Sequence, residues 1–243
     1  MKTKILTGAL IAMMCFTACE KDDEVKPETP APTPTPKNET ASSNPVPDDA
    51  YGVLVAVNSK SGSGIFSVNI GTGVALFFED SVLVSAGKVS VNSTELTRSA
   101  GNSYYSTPGF ANPNGIDFST DRDWTVEGGN GVPAISYNNN RSMPTVGENT
   151  SPENVSRSSS YTVSASAVSG ADSVIFIVGS LSYTAAGNVT SHTFTADEIA
   201  ENLENGEAAA MVVPYNMNAR SYSNKKYYFI NEAVTTKIVN VSE

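Results

Sequence analysis

The chain has 243 residues, and its 25 acidic side chains outnumber its 15 Lys and Arg side chains, which gives a formal net charge of −10 at pH 7. An acidic chain repels phosphate, so this charge argues against a nucleic-acid partner. The two cysteines, Cys15 and Cys19, both lie near the N-terminus. We therefore expect no disulfide, no thiol chemistry and no cysteine-ligated zinc in the body of the protein.

The first residues predict a secretory signal peptide. Lys2 and Lys4 form a basic start, and residues 5–16, ILTGALIAMMCF, form an apolar run. As a helix this run would span roughly 18 Å, well short of the ~30 Å hydrocarbon core of a bilayer. Its length therefore favours a signal peptide over a transmembrane anchor.

The end of the apolar run resembles a known processing site. Residues 16–19, FTAC, are similar to the lipobox of bacterial lipoproteins, whose signal peptidase cuts before the cysteine and leaves it lipidated. The resemblance implies that residues 1–18 are removed and that Cys19 carries acyl chains such as palmitate. A multiply acylated N-terminus is a stable membrane tether, so the membrane would be bound through lipid on Cys19.

The residues after the cysteine indicate where the lipoprotein is sent. Residues 20–24, EKDDE, resemble the export signal that sends lipoproteins of Bacteroidota-type bacteria to the outer face of the outer membrane. The resemblance implies a lipid-anchored protein exposed at the cell surface. The alternative is a charged spacer, because runs of charge are usually solvated. The chain as a whole also resembles surface lipoproteins of Bacteroidota, which share a location more than an activity.

A proline-rich segment separates the anchor from the body. Residues 26–49 read KPETPAPTPTPKNETASSNPVPDD, with proline at nearly every second place through Pro36. Proline removes backbone donors and fixes φ, which favours extended polyproline II over packed structure. At ~3.1 Å per residue, this segment would lift the body by up to about 70 Å. We therefore assign residues 19–50 to the lipidated cysteine and a disordered stalk.

Residues 51–128 form the first predicted β unit. Val53, Val55 and Val57 alternate with their neighbours, and Phe66, Val68 and Ile70 repeat this period of two. Glycine and asparagine pairs predict turns between short strands. The expected turns are Gly62-Ser63-Gly64, Gly71-Thr72-Gly73, Ala86-Gly87 and Asn92-Ser93.

Residues 132–243 form the second predicted unit, after the segment Gly128-Gly129-Asn130-Gly131. This segment is either a joint between two units or a hairpin within one. Residues 174–178 are apolar at every position, which indicates a central strand covered on both sides. Thr195 and Glu198 form a capping-box pattern ahead of Ile199, which predicts one short helix.

The fold class is therefore all-β, with one or two tandem antiparallel β-sandwich units and one short helix. The second unit resembles immunoglobulin-like or fibronectin-type sandwiches in its strand spacing. It departs from that pattern because it has no cysteine pair, and because the single tryptophan, Trp124, lies before it.

The candidates for catalysis or metal binding are the acidic residues that lie closest together in the sequence. Asp117, Asp121 and Asp123 lie in GIDFSTDRDW, and their spacing does not match an EF-hand loop. A glycosidase would need two carboxylates about 5 to 10 Å apart across a cleft. The single histidine, His192, alternates along a predicted strand, where an ordinary structural position is expected. We found no phosphate-binding glycine loop and no nucleophile elbow, and we expect no metal, no cofactor and no catalytic residue.

Exposed aromatics and serines are the remaining candidate sites. Surface sugar binders stack rings on aromatic side chains. The candidates are Trp124, Tyr104, Tyr105, Tyr222, Tyr227 and Tyr228. We expect Trp124 to be buried, one member of each tyrosine pair to be exposed, and Tyr222 to be the least buried. Asp80-Ser81-Val82 and Asp172-Ser173-Val174 resemble acceptors for O-linked glycans in Bacteroidota.

These patterns predict a non-catalytic binding or adhesion module at the cell surface, with an extracellular glycan or an envelope protein as its partner. The alternative is a structural or assembly subunit of the cell envelope. A carboxylate-dependent glycan hydrolase is the third hypothesis, and it requires the three aspartates to converge in a cleft.

Overall fold

The computed structural model describes residues 46–61, 68–110 and 112–243. Residues Val46–Glu243 belong to one compact unit. The predictions for the signal peptide, for Cys19, for the stalk up to residue 45 and for the turn at residues 62–64 lie outside the described residues, as does Phe66. No helix within the described ranges is long and apolar enough to cross a membrane.

The described chain contains short and long strands and one helix. The first nine strands are β1 (Ala50–Ser61), β2 (Val68–Glu79), β3 (Val82–Leu83), β4 (Val89–Val91), β5 (Thr94–Glu95), β6 (Thr97–Arg98), β7 (Tyr104–Tyr105), β8 (Arg122–Val126) and β9 (Ile135–Asn139). The later elements are β10 (Thr145–Val146), β11 (Asn154–Ser156), β12 (Tyr161–Ser164), β13 (Val168–Ser169), β14 (Ser173–Val178), β15 (Leu181–Ala186), β16 (Ser191–Phe194), helix α1 (Ala196–Asn202), β17 (Gly206–Tyr222) and β18 (Lys225–Ser242).

One large sheet runs through the whole body. Its strand order is β15-β14-β17-β18-β1-β2-β7-β6, with β11 beside β18 and β3 beside β2. The all-β class with one short helix is confirmed. The sequence predicted antiparallel sheets, but β1 and β11 both run parallel to β18, so this sheet is mixed.

The long hairpin of β17 and β18 forms the centre of this sheet. Its turn residues Ser223 and Asn224 have φ values of 51° and 61°. A two-residue turn with positive φ at both positions matches the twist of the strands it joins. Because both strands are long, this hairpin reaches both hydrophobic clusters of the protein.

The two clusters lie on the same face of the large sheet, which we call the inner face. The first cluster includes Leu54, Phe77 and Phe229 of the large sheet, and a four-stranded sheet of order β5-β4-β8-β9 covers it with Trp124 and Val126. The second cluster joins residues of β14, β17 and β18 to the pair β12-β16 and helix α1. The body is thus a layered, sandwich-like arrangement.

The opposite face of the large sheet, which we call the outer face, is also apolar. Alternate residues of a strand point to opposite faces, so the residues between the inner-face positions form this surface. They are all buried, and none belongs to either cluster. The outer face comprises Val53, Val55, Val57, Thr72, Val74, Leu76, Phe78, Ile175, Val213, Tyr215, Tyr228, Ile230, Glu232 and Val234.

The structure confirms the short helix that the capping-box pattern predicts. Thr195 is the N-cap, and its side chain accepts a hydrogen bond from Glu198 N, while the Glu198 side chain accepts one from Thr195 N. This reciprocal capping box satisfies two amides that the first turn leaves without partners. Ile199 is fully buried in the second cluster. The apolar face and the cap together hold this short helix in place.

The predicted boundary at residues 128–131 is a turn within one sheet. Gly128 N donates to Ala86 O at 2.9 Å, and the segment connects β8 to its antiparallel neighbour β9. The segments 51–128 and 132–243 also share the large sheet, because β1 pairs with β18. The structure therefore differs from the predicted division and matches the hairpin alternative. The end of the assigned stalk also differs, since Asp49 binds Lys226 and Ala50 starts β1.

The turn predicted at Gly71-Thr72-Gly73 is wrong, because these residues lie inside β2. Gly71 forms a parallel bridge with Gly115, and Ile116 N donates to Gly71 O at 2.8 Å. A Cβ on Gly71 would lie 1.8 Å from Ile116 O. Glycine here permits close approach of two backbones, which is the other common reason for glycine in a strand.

Candidate functional site

A polar cleft at the end of the four-stranded sheet is the candidate site. Its volume is about 700 Å³, and it is broadly open to solvent. Its lining carries only carboxylate, amide and hydroxyl side chains. The lining residues are Asn92, Ser93, Asp117, Thr120, Asp121, Asp123 and Asn138. The three aspartates that the sequence analysis singled out therefore converge in one cleft.

The turn between β4 and β5 positions one side of the cleft. Asn92 and Ser93 have φ values of 47° and 63°, as the predicted turn requires. Asn92 N donates to Asp123 O at 3.0 Å, and Asp123 N donates to Asn92 Oδ1 at 2.8 Å. The Asn92 side chain also donates to Asp117 O at 2.8 Å. Asn92 thus joins the turn to both segments that carry aspartates.

Two of the three carboxylates of the cleft, those of Asp117 and Asp123, accept hydrogen bonds from neighbouring residues. Asp123 Oδ1 accepts from Asn138 Nδ2 at 2.6 Å, across the pair of strands β8 and β9. Asp117 Oδ1 accepts from Ser119 N at 2.8 Å. The backbone and side-chain hydrogen bonds of Ser119 lower the pKa of Asp117. The ionised form of Asp117 is therefore favoured, and it is a hydrogen-bond acceptor.

Arg122 faces away from the cleft and does not neutralise the aspartates through a hydrogen bond. Its side chain is only 3% exposed, and its guanidinium donates to Thr120 O at 2.6 Å and to Arg141 O. Alternation along β8 explains this arrangement, because Asp123 and Arg122 point to opposite sides. Burial lowers the pKa of Arg122, and Asp121 partly offsets that effect. Among the described residues, no His, Cys, Asp or Glu side chains form a group of three that could hold a metal ion.

The predicted aromatic candidates are mainly core residues. Trp124 and Tyr104 are each 1% exposed, and the Tyr104 hydroxyl accepts from Ala86 N at 2.9 Å. The prediction that one of Tyr227 and Tyr228 is exposed is wrong, because both are buried. Tyr227 belongs to the first cluster on the inner face and Tyr228 lies on the buried outer face, so neither ring is exposed.

The other tyrosine predictions have mixed outcomes. Tyr105 and Tyr222 are half-buried, and the Tyr222 hydroxyl donates to Ser136 O at 3.4 Å. None of the six predicted aromatics lines the cleft.

His192 occupies a strand position, as predicted. It lies in β16 and its ring stacks on that of Tyr183, with centroids 3.7 Å apart and planes at 7°. Burial lowers the pKa of His192. The histidine is therefore part of an aromatic cluster at the edge of the sheet, far along the chain from the residues of the cleft.

The two candidate glycan acceptors differ in accessibility. Ser81 lies in an exposed turn between β2 and β3, with a φ of 70°, and Val82 beside it is 64% exposed. Ser173 is half-buried at the start of β14, and its neighbour Asp172 binds Arg141. The structure therefore leaves Ser81 as the accessible member of the pair.

Sequence reasoning missed a network of buried asparagines on the inner face between the two clusters. Asn231 Nδ2 donates to Asn216 Oδ1 at 2.9 Å, and Asn139 Nδ2 donates to Asn231 Oδ1 at 3.2 Å. Asn216 Nδ2 also donates to the backbone oxygen of Ser142 at 2.9 Å. Asparagines in strands gave no signal of this, because their partners lie 15 to 92 residues away.

It also missed Glu232, the buried acid of the outer face. Glu232 is 4% exposed and lies between Val57 on β1 and Tyr215 on β17. Burial raises the pKa of Glu232 to about 7. It forms no ion pair with any other described residue. Its place in the alternating pattern of β18 was the one available signal, because it puts an acid on an apolar face.

Comparison of the chain with protein-family models, with curated proteins and with solved structures finds no match in any of the three.

Proposed function

We propose that this chain is a lipid-anchored protein of the bacterial outer membrane, exposed at the cell surface, which acts as a non-catalytic binding or adhesion module for glycans. The anchor is supported by the lipobox-like segment that ends at Cys19, and the surface location by residues 20–24, EKDDE. The polar cleft is the single observation that carries the binding role.

The chemistry of the cleft fits a ligand rich in hydroxyl groups. Asp117, Asp121 and Asp123 supply acceptors for sugar hydroxyls, and Asn138 supplies an amide that both donates and accepts. Hydrogen bonds to ionised carboxylates are stronger than those between neutral groups. Three carboxylates in one cleft also repel anions, which favours neutral sugars over acidic ones.

Binding fits the cleft better than hydrolysis does. A general acid in a glycosidase needs a raised pKa, so that it holds a proton near neutral pH. Asp117 has a lowered pKa, because Ser119 donates to it. The carboxylate hydrolase therefore remains the third hypothesis, in spite of the convergence of the aspartates.

A glycan array probed with the mature lipoprotein in detergent tests this proposal. We expect a neutral glycan to bind, and we expect Asp121→Asn and Asn138→Ala each to weaken the binding at least tenfold. Asp197→Asn is the matched control, because it removes one charge from an exposed position on helix α1 outside the cleft. An array without signal above background, or equal losses in the control, would count against a glycan-binding cleft.

A further inference from the structure

A stacked pair of rings lies at the edge of the large sheet. Tyr183 of β15 is on the inner face, opposite the buried Phe176 of β14, yet it is 46% exposed. Its ring lies almost parallel to that of His192 on β16. Because β15 is the last strand in the order of the large sheet, no neighbouring strand of the described chain screens Tyr183 on that side. We call Tyr183 and His192 together the aromatic platform.

Buried rings hold the inner member of the platform in place. The His192 ring lies edge-on to that of Phe194, with centroids 4.7 Å apart and planes at 86°. It also lies 6.1 Å from the ring of Phe176. Both phenylalanines belong to the second cluster. A platform fixed in this way loses little conformational freedom when a ligand stacks on it.

One face of the Tyr183 ring is open to solvent. A flat ring has two faces, and His192 covers only one of them. Since an aromatic side chain has about 150 to 250 Å² of surface, the exposed part of Tyr183 amounts to roughly 100 Å². A standard protein interface needs about 800 Å² per partner. The open face therefore fits one small ring rather than a protein.

The charges around the platform disfavour anionic ligands. Strands β14, β15 and β16 and helix α1 carry no Lys or Arg, whereas α1 carries Asp197, Glu198 and Glu201. Burial lowers the pKa of His192, and the charge of Glu198 offsets only part of that effect. The imidazole is therefore neutral at pH 7. A phosphate or an acidic sugar finds no counter-charge in these elements.

We propose that the aromatic platform is a second sugar-binding site, on which the apolar face of a neutral sugar ring stacks against Tyr183. The C–H groups on such a face are slightly positive and the face of an aromatic ring is negative, so the two attract each other. The Tyr183 hydroxyl both donates and accepts hydrogen bonds, which suits the hydroxyls at the rim of a sugar. The proposal takes its class of ligand from the proposed function, and it does not depend on the cleft.

The platform and the polar cleft are separate sites on one body. The cleft is lined by residues between 92 and 138, whereas the platform belongs to β15 and β16. Both lie within the compact unit Val46–Glu243. A surface that presents many sugar chains can engage both sites at once, and such binding is tighter than binding at either site alone. A weak site for one ring thereby contributes to adhesion.

The single histidine of the chain makes the platform directly observable. Because His192 is the only histidine, its ring protons give an NMR signal from the platform alone. The test uses the lipoprotein with isotope-labelled histidine, purified in a detergent without a sugar head group. The probes are the methyl glycosides of glucose, galactose, mannose and N-acetylglucosamine. We expect at least one of them to shift the His192 ring signals until they saturate.

Variants at position 183 test the stacking itself. Tyr183→Phe keeps the ring and should bind within about threefold of the wild type, since it loses only a hydroxyl. Tyr183→Leu removes the ring and should weaken binding about fivefold or more. Tyr51→Leu is the matched control, because it removes a 38% exposed tyrosine of β1 and should leave the His192 shift unchanged. The remaining NMR signals of each variant report whether it is folded.

Asn138→Ala separates the platform from the cleft. We expect this variant to bind more weakly on the glycan array and yet to keep the His192 shift. If no glycoside shifts the His192 signals while array binding still depends on Asn138, the platform is overturned and the proposed function stands. If both the shift and the array signal are missing, both proposals are overturned. A shift that Tyr183→Leu retains, or that Asn138→Ala removes, would also overturn a separate site at the platform.

Discussion

At the scale of single residues, Arg141 and Asp172 tie the loop after β9 to strand β17. Arg141 Nη1 lies 2.7 Å from Asp172 Oδ2, and Met217 N donates to the same oxygen at 3.1 Å. The hydrogen bond from Arg141, supported by that from Met217, lowers the pKa of Asp172 below its ordinary value of 3.8. The folded state therefore favours the ionised acid.

This lowered pKa predicts a stability that depends on pH. The contribution of Asp172 is present above pH 3.8 and is lost as the pH falls through the folded pKa. We expect Asp172→Asn to lower the free energy of unfolding by about 1 kcal/mol at pH 7, since the pair is partly exposed and screened. Near pH 2 the difference between the variant and the wild type should be smaller. Urea unfolding at both pH values measures this, with the exposed Glu204→Gln as control. An equal loss at both values would contradict the ion pair.

The sequence identified part of the cleft at this scale. Asp117, Asp121 and Asp123 lie within seven residues of one another, so their density was visible in the sequence. Asn92 and Asn138 reach the same cleft from a turn and from a neighbouring strand. Their place depends on pairing between strands that are distant in sequence, and no local pattern reports that pairing.

At the scale of elements, strand β2 shows how glycine permits one segment to pass close to another. Gly71 and Gly115 form a parallel bridge, and Gly71 N donates to Asn114 O at 2.9 Å. A Cβ at Gly115 would lie 2.0 Å from Gly71 O. Both positions therefore exclude a side chain unless the backbones separate.

This close approach predicts a severe effect of a single methyl group. We expect Gly71→Ala to lower the free energy of unfolding by about 3 kcal/mol or more, because the strand must move away from Ile116. In a body of this size the melting temperature should fall by roughly 6 to 12 °C. Gly109→Ala is the matched control, since a Cβ there meets no atom within 4 Å. A thermal melt in which both variants behave alike would refute the close approach.

The contrast between α1 and β2 explains which elements could be predicted. The capping box of Thr195 and Glu198 acts within one turn, so the sequence contains the whole signal. The glycines of β2 also resemble a turn signal locally, but Gly71 is required by a backbone contact with residues 114–116, and Gly73 by the side chains of Val91 and Leu96. Local patterns therefore predict an element when its cause is local, and mislead when the cause is a distant neighbour.

At the scale of the whole molecule, the sequence predicted the all-β class but not the sharing of one sheet by both halves. The parallel pairing of β1 with β18 joins Val53 to Tyr228 and Val57 to Glu232. It places the first strand of the body inside the sheet, next to the last strand. Strand β18 then has neighbours on both sides, and Tyr227 on its inner face and Tyr228 on its outer face are both buried.

The location of the whole protein leads to the last prediction, which concerns Cys19. If acyl chains on Cys19 hold the protein on the outer surface, protease added to intact cells should remove the wild-type body, and intact mass should show the added lipid. Cys19→Ala should show neither acylation nor cleavage from outside, because the tether requires the thiol of that residue. Cys15→Ala changes the other cysteine, within the leader, and should behave as the wild type.

Each alternative result assigns a different place to the body. Equal cleavage of the wild type and Cys19→Ala would contradict a lipid tether at this residue. A wild type that is acylated but protected from protease would make residues 20–24 a charged spacer. The body would then face the periplasm, and the search for sugars should turn to the glycans of the envelope itself.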